Sequence, residues 1–275
     1  MILNARMYSP TPEIAGLWRR LLGHLAELCG GALELYDYPP PQPLSPLWSR
    51  EDKAAVFMCG LPFSLARPRP VAVVAPITSV PGCEGEPVYW SELVVRADSR
   101  FETLADTFGG TLALTTLESQ SGCVALLDHL VRAEAPAPPF AAVHGPTVTF
   151  LANLQAVRDG HADIAPIDSY GFALLQRHHP ELTADVRVIA RTPSMPSPLL
   201  VGSATIPGLT QAFEQLHSEP GARALMNDLL VDRFAAVAPA DYEALAARRT
   251  LAFQHWRTRP LSRSANPAFE IPGED

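Results

Sequence analysis

The amino-acid sequence predicts an α/β protein of two lobes, one inserted into the other. Strand-like runs alternate with helical ones along most of the chain, which implies an α/β sandwich with largely parallel sheets. Residues 89–196 read as a self-contained βαβαβ block interrupting a second α/β unit, residues 1–88 plus 197–275, which the C-terminal helices would complete. With 275 residues the chain can bury one large core or two smaller ones. An inserted lobe creates a cleft between domains, a preferred place for small ligands.

The elements follow in order. Ile2–Tyr8 is strand-like. Pro12–Leu28 carries a helical stripe of Ile14, Leu17, Trp18, Leu21, Leu22, Leu25 and Leu28. Pro12 suits a first helical turn, and Gly30-Gly31 ends the helix. Ala32–Tyr38 alternates as a second strand. The stiff, Pro-rich Tyr38–Pro43 stretch leads to short strands at Ala54–Met58 and Arg69–Ile77. A polar-aromatic strand, Pro87–Val95, enters the second lobe. There, helices at Phe101–Phe108, Ser121–Ala133, Phe150–Asp159 and Ser169–His178 alternate with strands at Thr111–Thr116, Ala141–His144, Ala162–Pro166 and Val186–Ala190. Pro198–Val201 is the return strand, and the remainder is predicted helical.

The formal net charge of −8 argues against a nucleic-acid binder, which needs a basic surface. No run of 18 apolar residues is present, so no membrane span is expected. Met1–Tyr8 is too short and too polar for the start of a signal peptide, so the sequence as it stands reads as cytoplasmic. Four cysteines, Cys29, Cys59, Cys83 and Cys123, are widely spaced and form no CxxC, which suggests buried thiols rather than a metal or redox site. No metal, cofactor or catalytic residue is expected, because no paired acid and base or activated nucleophile is visible.

The most informative stretch is Ser119-Gln120-Ser121-Gly122, between a strand-like and a helix-like run. Two hydroxyls and a glycine at a strand-to-helix turn form a hydrogen-bonding cup. The first amides of a helix lack internal partners and carry a partial positive charge, so the turn can be an ordinary Ser cap or an anion site. Asp168 has the same two readings, as a cap of the helix from Ser169 and as a ligand acceptor. Asp163 reads as a hydrogen-bonded structural carboxylate. Trp18 and Trp90 read as core.

In order along the chain stand Tyr89-Trp90-Ser91, Asp98–Asp106, Gly109–Ala113, Ser119–Gly122, Leu154–Ala165, Ile167-Asp168-Ser169 and Arg187–Pro196. Together they resemble the phosphate/phosphite/phosphonate substrate-binding proteins of ABC transporters. The resemblance is close over about 90–200 and loose over the first 90 residues. It implies the type 2 periplasmic-binding-protein fold, a ligand cleft between lobes, and non-catalytic binding of a small polar or anionic ligand. It implies an ABC permease as partner and, by family, a periplasmic location; a monomer is expected.

By position, the resemblance implies ligand contacts from Ser119, Gln120, Ser121 and the amide of Gly122, from the hinge aromatic Tyr89, and from Asp168 and Ser169. In the first lobe it implies Tyr8, Cys59, Gly60 and Phe63. Phosphonate binders carry a Ser-His pair before the Ala-Val-x-x-Gly helix; here Val148-Thr149-Phe150 stands in that place, so Thr149 is the candidate and the histidine is absent. The expected ligand is therefore less charged or held by neutral donors, and Tyr89, Trp90, Phe150 and Tyr170 are candidates to stack on a flat molecule. The alternative readings are a cytosolic enzyme on the same fold, similar in architecture to the menaquinone-pathway chorismate dehydratase, and a cytosolic sensor.

Overall fold

Strand Ile2–Asn4, buried throughout, begins the molecule in the computed structural model, which describes residues 1–272. It feeds helix Pro12–Leu28. Thr11 caps that helix by accepting from the Ile14 amide (3.4 Å), and Pro12 fills the first position, where no amide proton is needed. Six of the predicted stripe residues, Ile14 to Leu25, are buried. Gly30 and Gly31, with φ of 76° and 74°, supply the left-handed turn that stops the helix.

The chain divides into two units, the first comprising Met1–Tyr89 and Met195–Glu243. Its six-stranded sheet runs in the order Val231–Ala235, Val71–Thr78, Leu199–Gly202, Lys53–Met58, Ile2–Asn4, Glu34–Leu35. The last three strands are mutually parallel; Leu199–Gly202 is antiparallel to both neighbours. Strand Lys53–Met58 is buried along its whole length, as a central strand covered on both faces must be.

Strand Val231–Ala235 departs from the expectation of a wholly helical C-terminal region. It pairs antiparallel with Val71–Thr78, and its register shifts between Val231 and Arg233. That irregularity buries Val231 and Phe234 and exposes Asp232 and Arg233. A bulge of this kind removes the period-two alternation by which a strand is read from sequence.

The second unit comprises Trp90–Ser194 and the segment from Ala244 onward. Its main sheet, Val186–Arg191, Ser91–Arg96 and Ala165–Asp168, is antiparallel throughout, where a parallel arrangement was expected. Parallel pairing is confined to Thr111–Ala113 with Ala142–His144, and to a bridge from Leu112 to Ile164. The run from Pro87 is two strands rather than one. Val88–Tyr89 pairs with Met195–Pro196 in the first unit, and Ser91–Arg96 joins the sheet of the second.

The C-terminal segment also differs from the expectation, which assigned all of 197–275 to the first lobe. Trp256, buried, donates its indole N–H to the Leu127 carbonyl (3.1 Å). Beyond it, Arg263 and Ser264 donate backbone amides to the carbonyls of Phe140 and Ala141, and Asn266 donates to the Val143 carbonyl. The segment is thus hydrogen-bonded to residues 127–143.

Cys59, Cys83 and Cys123 are buried and Cys29 is partly exposed, and none of the four forms a disulfide. Burial pushes the Cys123 thiol up to about 12. Among the described residues no helix is long and apolar enough to cross a membrane. Replacing Trp256 with Ala removes a buried aromatic and its hydrogen bond. Urea denaturation is expected to show a loss of about 3–5 kcal/mol.

Candidate ligand-binding site

The turn after strand Thr111–Ala113 is built around Gly122. A Cβ at that position would lie 2.2 Å from Thr115 Oγ1 and 2.9 Å from Ser119 Oγ, so only glycine fits. The Thr115 amide donates to the Gly122 carbonyl (3.2 Å), which draws the incoming chain over the glycine. Ser119 is the N-cap: its hydroxyl accepts from the Gly122 amide (3.0 Å). That bond commits the Gly122 amide, which the sequence resemblance assigns to ligand, to the cap. Residues Gln120–Val124 then form a wide π-helical turn, with the Val124 amide reaching the Ser119 carbonyl, before helix Ala125–Arg132. Single π turns of this sort are frequent at functional sites.

Two further helix starts stand beside this turn. Asp168 closes strand Ala165–Asp168 and caps helix Ser169–His178, its Oδ1 accepting from the Gly171 amide (2.9 Å). Its Oδ2 accepts from the Ser121 hydroxyl (3.3 Å). The carboxylate therefore joins two helix starts, where negative charge is favoured. Ser91 ties the same turn to the sheet by donating to the Ser121 carbonyl (2.8 Å). Ser169 Oγ accepts from the Trp90 amide (3.2 Å). Helix Phe150–Arg158 is capped by Thr149, which accepts from the Ala152 amide (3.0 Å). The Phe150 ring lies over Gly171, where a Cβ would come within 2.7 Å of it.

The second unit thus brings Ser119, Gln120, Ser121, Gly122, Asp168 and Ser169 into one cluster, with Thr149 on the adjoining helix. A family model described as the phosphonate periplasmic substrate-binding protein of ABC transporters matches residues 54–242, more than half of the chain. The chain belongs to that family. Its function is accordingly to bind a small polar or anionic ligand as a substrate-binding protein of the ABC-transporter type.

Solved structures agree on the two-lobed fold of periplasmic binding proteins. The chain is similar to a binding-protein component of an ABC phosphonate transporter from Pseudomonas aeruginosa, at 17% identity and a TM-score of 0.75, covering 94% of this chain and 87% of that one. It is similar to PhnD1 of Prochlorococcus marinus in complex with methylphosphonate, at 14% identity and a TM-score of 0.73, covering 91% and 98%. A Xanthomonas citri protein bound to chloride ion matches at 18% identity and a TM-score of 0.64, covering 93% and 99%. No curated protein shows significant sequence similarity to the chain.

In the first unit of this phosphonate-binding-family chain, Cys59 occupies the N-cap position of helix Gly60–Leu65, directly after strand Lys53–Met58. Its Sγ lies 4.0 Å from the hydroxyl of Tyr89, so two of the candidates meet. Tyr8 is buried with its ring edge-on to Phe57, at 5.2 Å between centroids. Phe63 is fully buried and packs edge-on against Tyr242 (5.2 Å), with the Arg69 guanidinium 5.6 Å from its ring. Trp90 donates to the buried Glu92 carboxylate (2.9 Å), and Asp163 accepts the Thr111 amide (2.7 Å); both are structural, as the sequence suggests. Burial and the neighbouring Asp168 raise the Tyr170 phenol well above its ordinary range.

Thr115 is the residue that sequence reasoning missed. Its side chain is 5% exposed and its Oγ1 has no hydrogen-bond partner among the described residues. It lies four residues before the Ser turn, and only the fold of the turn over Gly122 makes it a neighbour. Gly122→Ala should cost about 1–3 kcal/mol in denaturant titration by overpacking. Adding Thr115→Ala should recover part of that loss, and strictly additive costs would contradict the contact.

Proposed function

We propose that this chain captures a small protonated oxyanion of the phosphonate, phosphate or phosphite class at the Ser119–Gly122 turn. In this reading Thr115, Gln120, Ser121, Asp168 and Ser169 contact the ligand, with Thr149 beside them. Ser119 and Gly122 shape the turn, the Ser119 hydroxyl accepting from the Gly122 amide. Within the first unit Cys59, Gly60 and Tyr89 are the polar candidates, and Tyr8 and Phe63 support them through packing. The ligand is bound and released unchanged and passed to an ABC permease, outside the cytoplasmic membrane, and the protein acts as a monomer. Residues near 88–91 and 195–200 serve as the hinge.

The observation that carries this reading is the Thr115 hydroxyl, buried and without a partner among the described residues, beside a turn that only glycine permits. An orphaned buried hydroxyl costs about 1–3 kcal/mol, a cost that a ligand hydrogen bond removes. The Asp168 carboxylate supports the protonated form of the ligand. A fully ionised oxyanion would be repelled by it, whereas one that keeps a proton can donate to it. Helix-start amides suit the remaining oxygens.

Isothermal titration with methylphosphonate, phosphite and phosphate checks the reading; no binding of any of them would refute it. Thr115→Val should leave thermal stability unchanged or higher yet weaken binding about tenfold, the worth of one hydrogen bond. Asp168→Asn keeps a capping side chain and should shift preference toward ligands with fewer protons. An unchanged pH dependence of affinity in this variant would remove Asp168 from the site.

A further inference from the structure

A cavity lies wholly within the first unit, with a volume of about 350 Å³, within the range of small-molecule sites. It is bounded by the residues leaving strand Ile2–Asn4, the first turns of helix Pro12–Leu28, and Leu35–Pro40 after strand Glu34–Leu35. Ligands of open α/β sheets sit at such carboxyl ends of strands. Among its lining residues are Arg6, Trp18, Leu22, Tyr36 and Tyr38.

Two of these residues carry buried donors without acceptors among the described residues. Arg6 is 8% exposed and Trp18 1%. Arg6 Nε and Trp18 Nε1 have no hydrogen-bond partner among the described residues. The other end of the guanidinium donates to the Gln42 carbonyl (3.3 Å), so Arg6 is held in place with Nε left over. Among the described residues no carboxylate forms an ion pair with Arg6. The acid on the cavity wall, Asp37, is an exposed partner of Arg19 at 3.7 Å. Burial lowers the Arg6 pKa from its ordinary value, which reflects a desolvated cation rather than a paired one.

A buried guanidinium is charged at any ordinary pH, and burying it without a counter-charge is costly. Water could accept from Nε but would leave the charge uncompensated. With Arg19 and Asp37 offsetting each other, the wall carries one net positive charge. One positive charge and two free N–H donors match a singly charged, two-oxygen carboxylate better than a phosphate dianion. The rest of the wall combines the polar Asn4, Ser9 and Thr11 with aromatic and apolar side chains, with Tyr36 and Tyr38 stacked at 6.2 Å and Trp18 edge-on to Phe57 at 5.1 Å.

We propose that this cavity binds a small aromatic monocarboxylate, its carboxylate held by Arg6 and the indole N–H of Trp18 and its ring among Tyr36, Tyr38 and Leu22. This assignment stands whether or not an oxyanion binds at the Ser119–Gly122 turn.

Isothermal titration of the full chain with benzoate and indole-3-acetate, with benzamide as the neutral control, tests it. Both carboxylates should bind and benzamide should not. Arg6→Gln should weaken benzoate at least about tenfold, and Trp18→Phe, which loses no hydrogen bond in the free protein, about fivefold. Circular dichroism reports whether Arg6→Gln folds; if it does not, Trp18→Phe decides alone. No benzoate binding at millimolar concentration, equal binding of benzamide, or unchanged benzoate affinity in the folded variants would overturn the proposal. Methylphosphonate titration of the same variants reads the other site separately, so failure of one does not count against the other.

Discussion

The hydrogen bond from the Ser121 hydroxyl to the Asp168 carboxylate ties together two segments distant in sequence, the turn after strand Thr111–Ala113 and the end of strand Ala165–Asp168. Each segment opens a helix, and each helix start carries unsatisfied amides with partial positive charge. Two such ends side by side would repel without a shared negative group. Asp168 supplies it, accepting from the Gly171 amide with one oxygen and from Ser121 with the other. Ser91 anchors the same turn to the central strand of the sheet. The arrangement depends on two glycines: Gly122, which lets Thr115 lie over the turn, and Gly171, which lets the Phe150 ring approach the second helix. Removing either space would move a helix start, and with it the carboxylate.

The candidates of the first unit are supported differently. Tyr8, Phe57 and Trp18 form an edge-to-face series, and Phe63 sits between Tyr242 and Arg69. Edge-to-face pairs fix ring orientation beyond what area burial requires. Their effect on the polar groups nearby is mechanical. The end of strand Lys53–Met58 is fixed by packing on Phe57, and that end delivers Cys59 to Tyr89. Polar contacts in this unit therefore rest on an aromatic core, whereas those of the second unit rest on caps.

Features that are local in sequence were legible from it. The capping of helix Pro12–Leu28, its buried stripe, the strand-to-helix turn at Ser119 and the capping role of Asp168 all involve residues within a few positions of one another. What was not legible is non-local or irregular. Strand Val231–Ala235 lost its alternation to a shift in register. Helix Glu243–Thr258 shows its buried residues, Leu245, Ala252, Phe253 and Trp256, but periodicity does not say which unit receives them. Within the site, the Ser119 hydroxyl was visible as a cap, yet the choice between cap and ligand turned on where the Gly122 amide points. Thr115 gave no signal, because a threonine leaving a strand is ordinary until the chain folds it over a glycine.

The replacement of a Ser-His pair by Val148-Thr149-Phe150 has a physical reading in the loop itself. Val148 adopts a φ of 65°, a left-handed conformation that costs a β-branched residue on the order of 1–3 kcal/mol. Three bonds hold it there. The Thr149 amide donates to the Thr147 carbonyl (2.8 Å), the Thr147 hydroxyl donates to Asn153 (2.7 Å), and Asn153 donates in turn to the Pro166 carbonyl (3.2 Å). The loop is thereby fixed to the strand that ends in Asp168. Its strain is retained because releasing it would break the Thr149 cap and lift Phe150 from Gly171. A histidine in this place would present a titratable donor; Phe150 presents a neutral ring beside the helix that Asp168 caps. This edge of the cluster then contributes shape and no charge, and the charge beside it is the Asp168 carboxylate at the two helix starts.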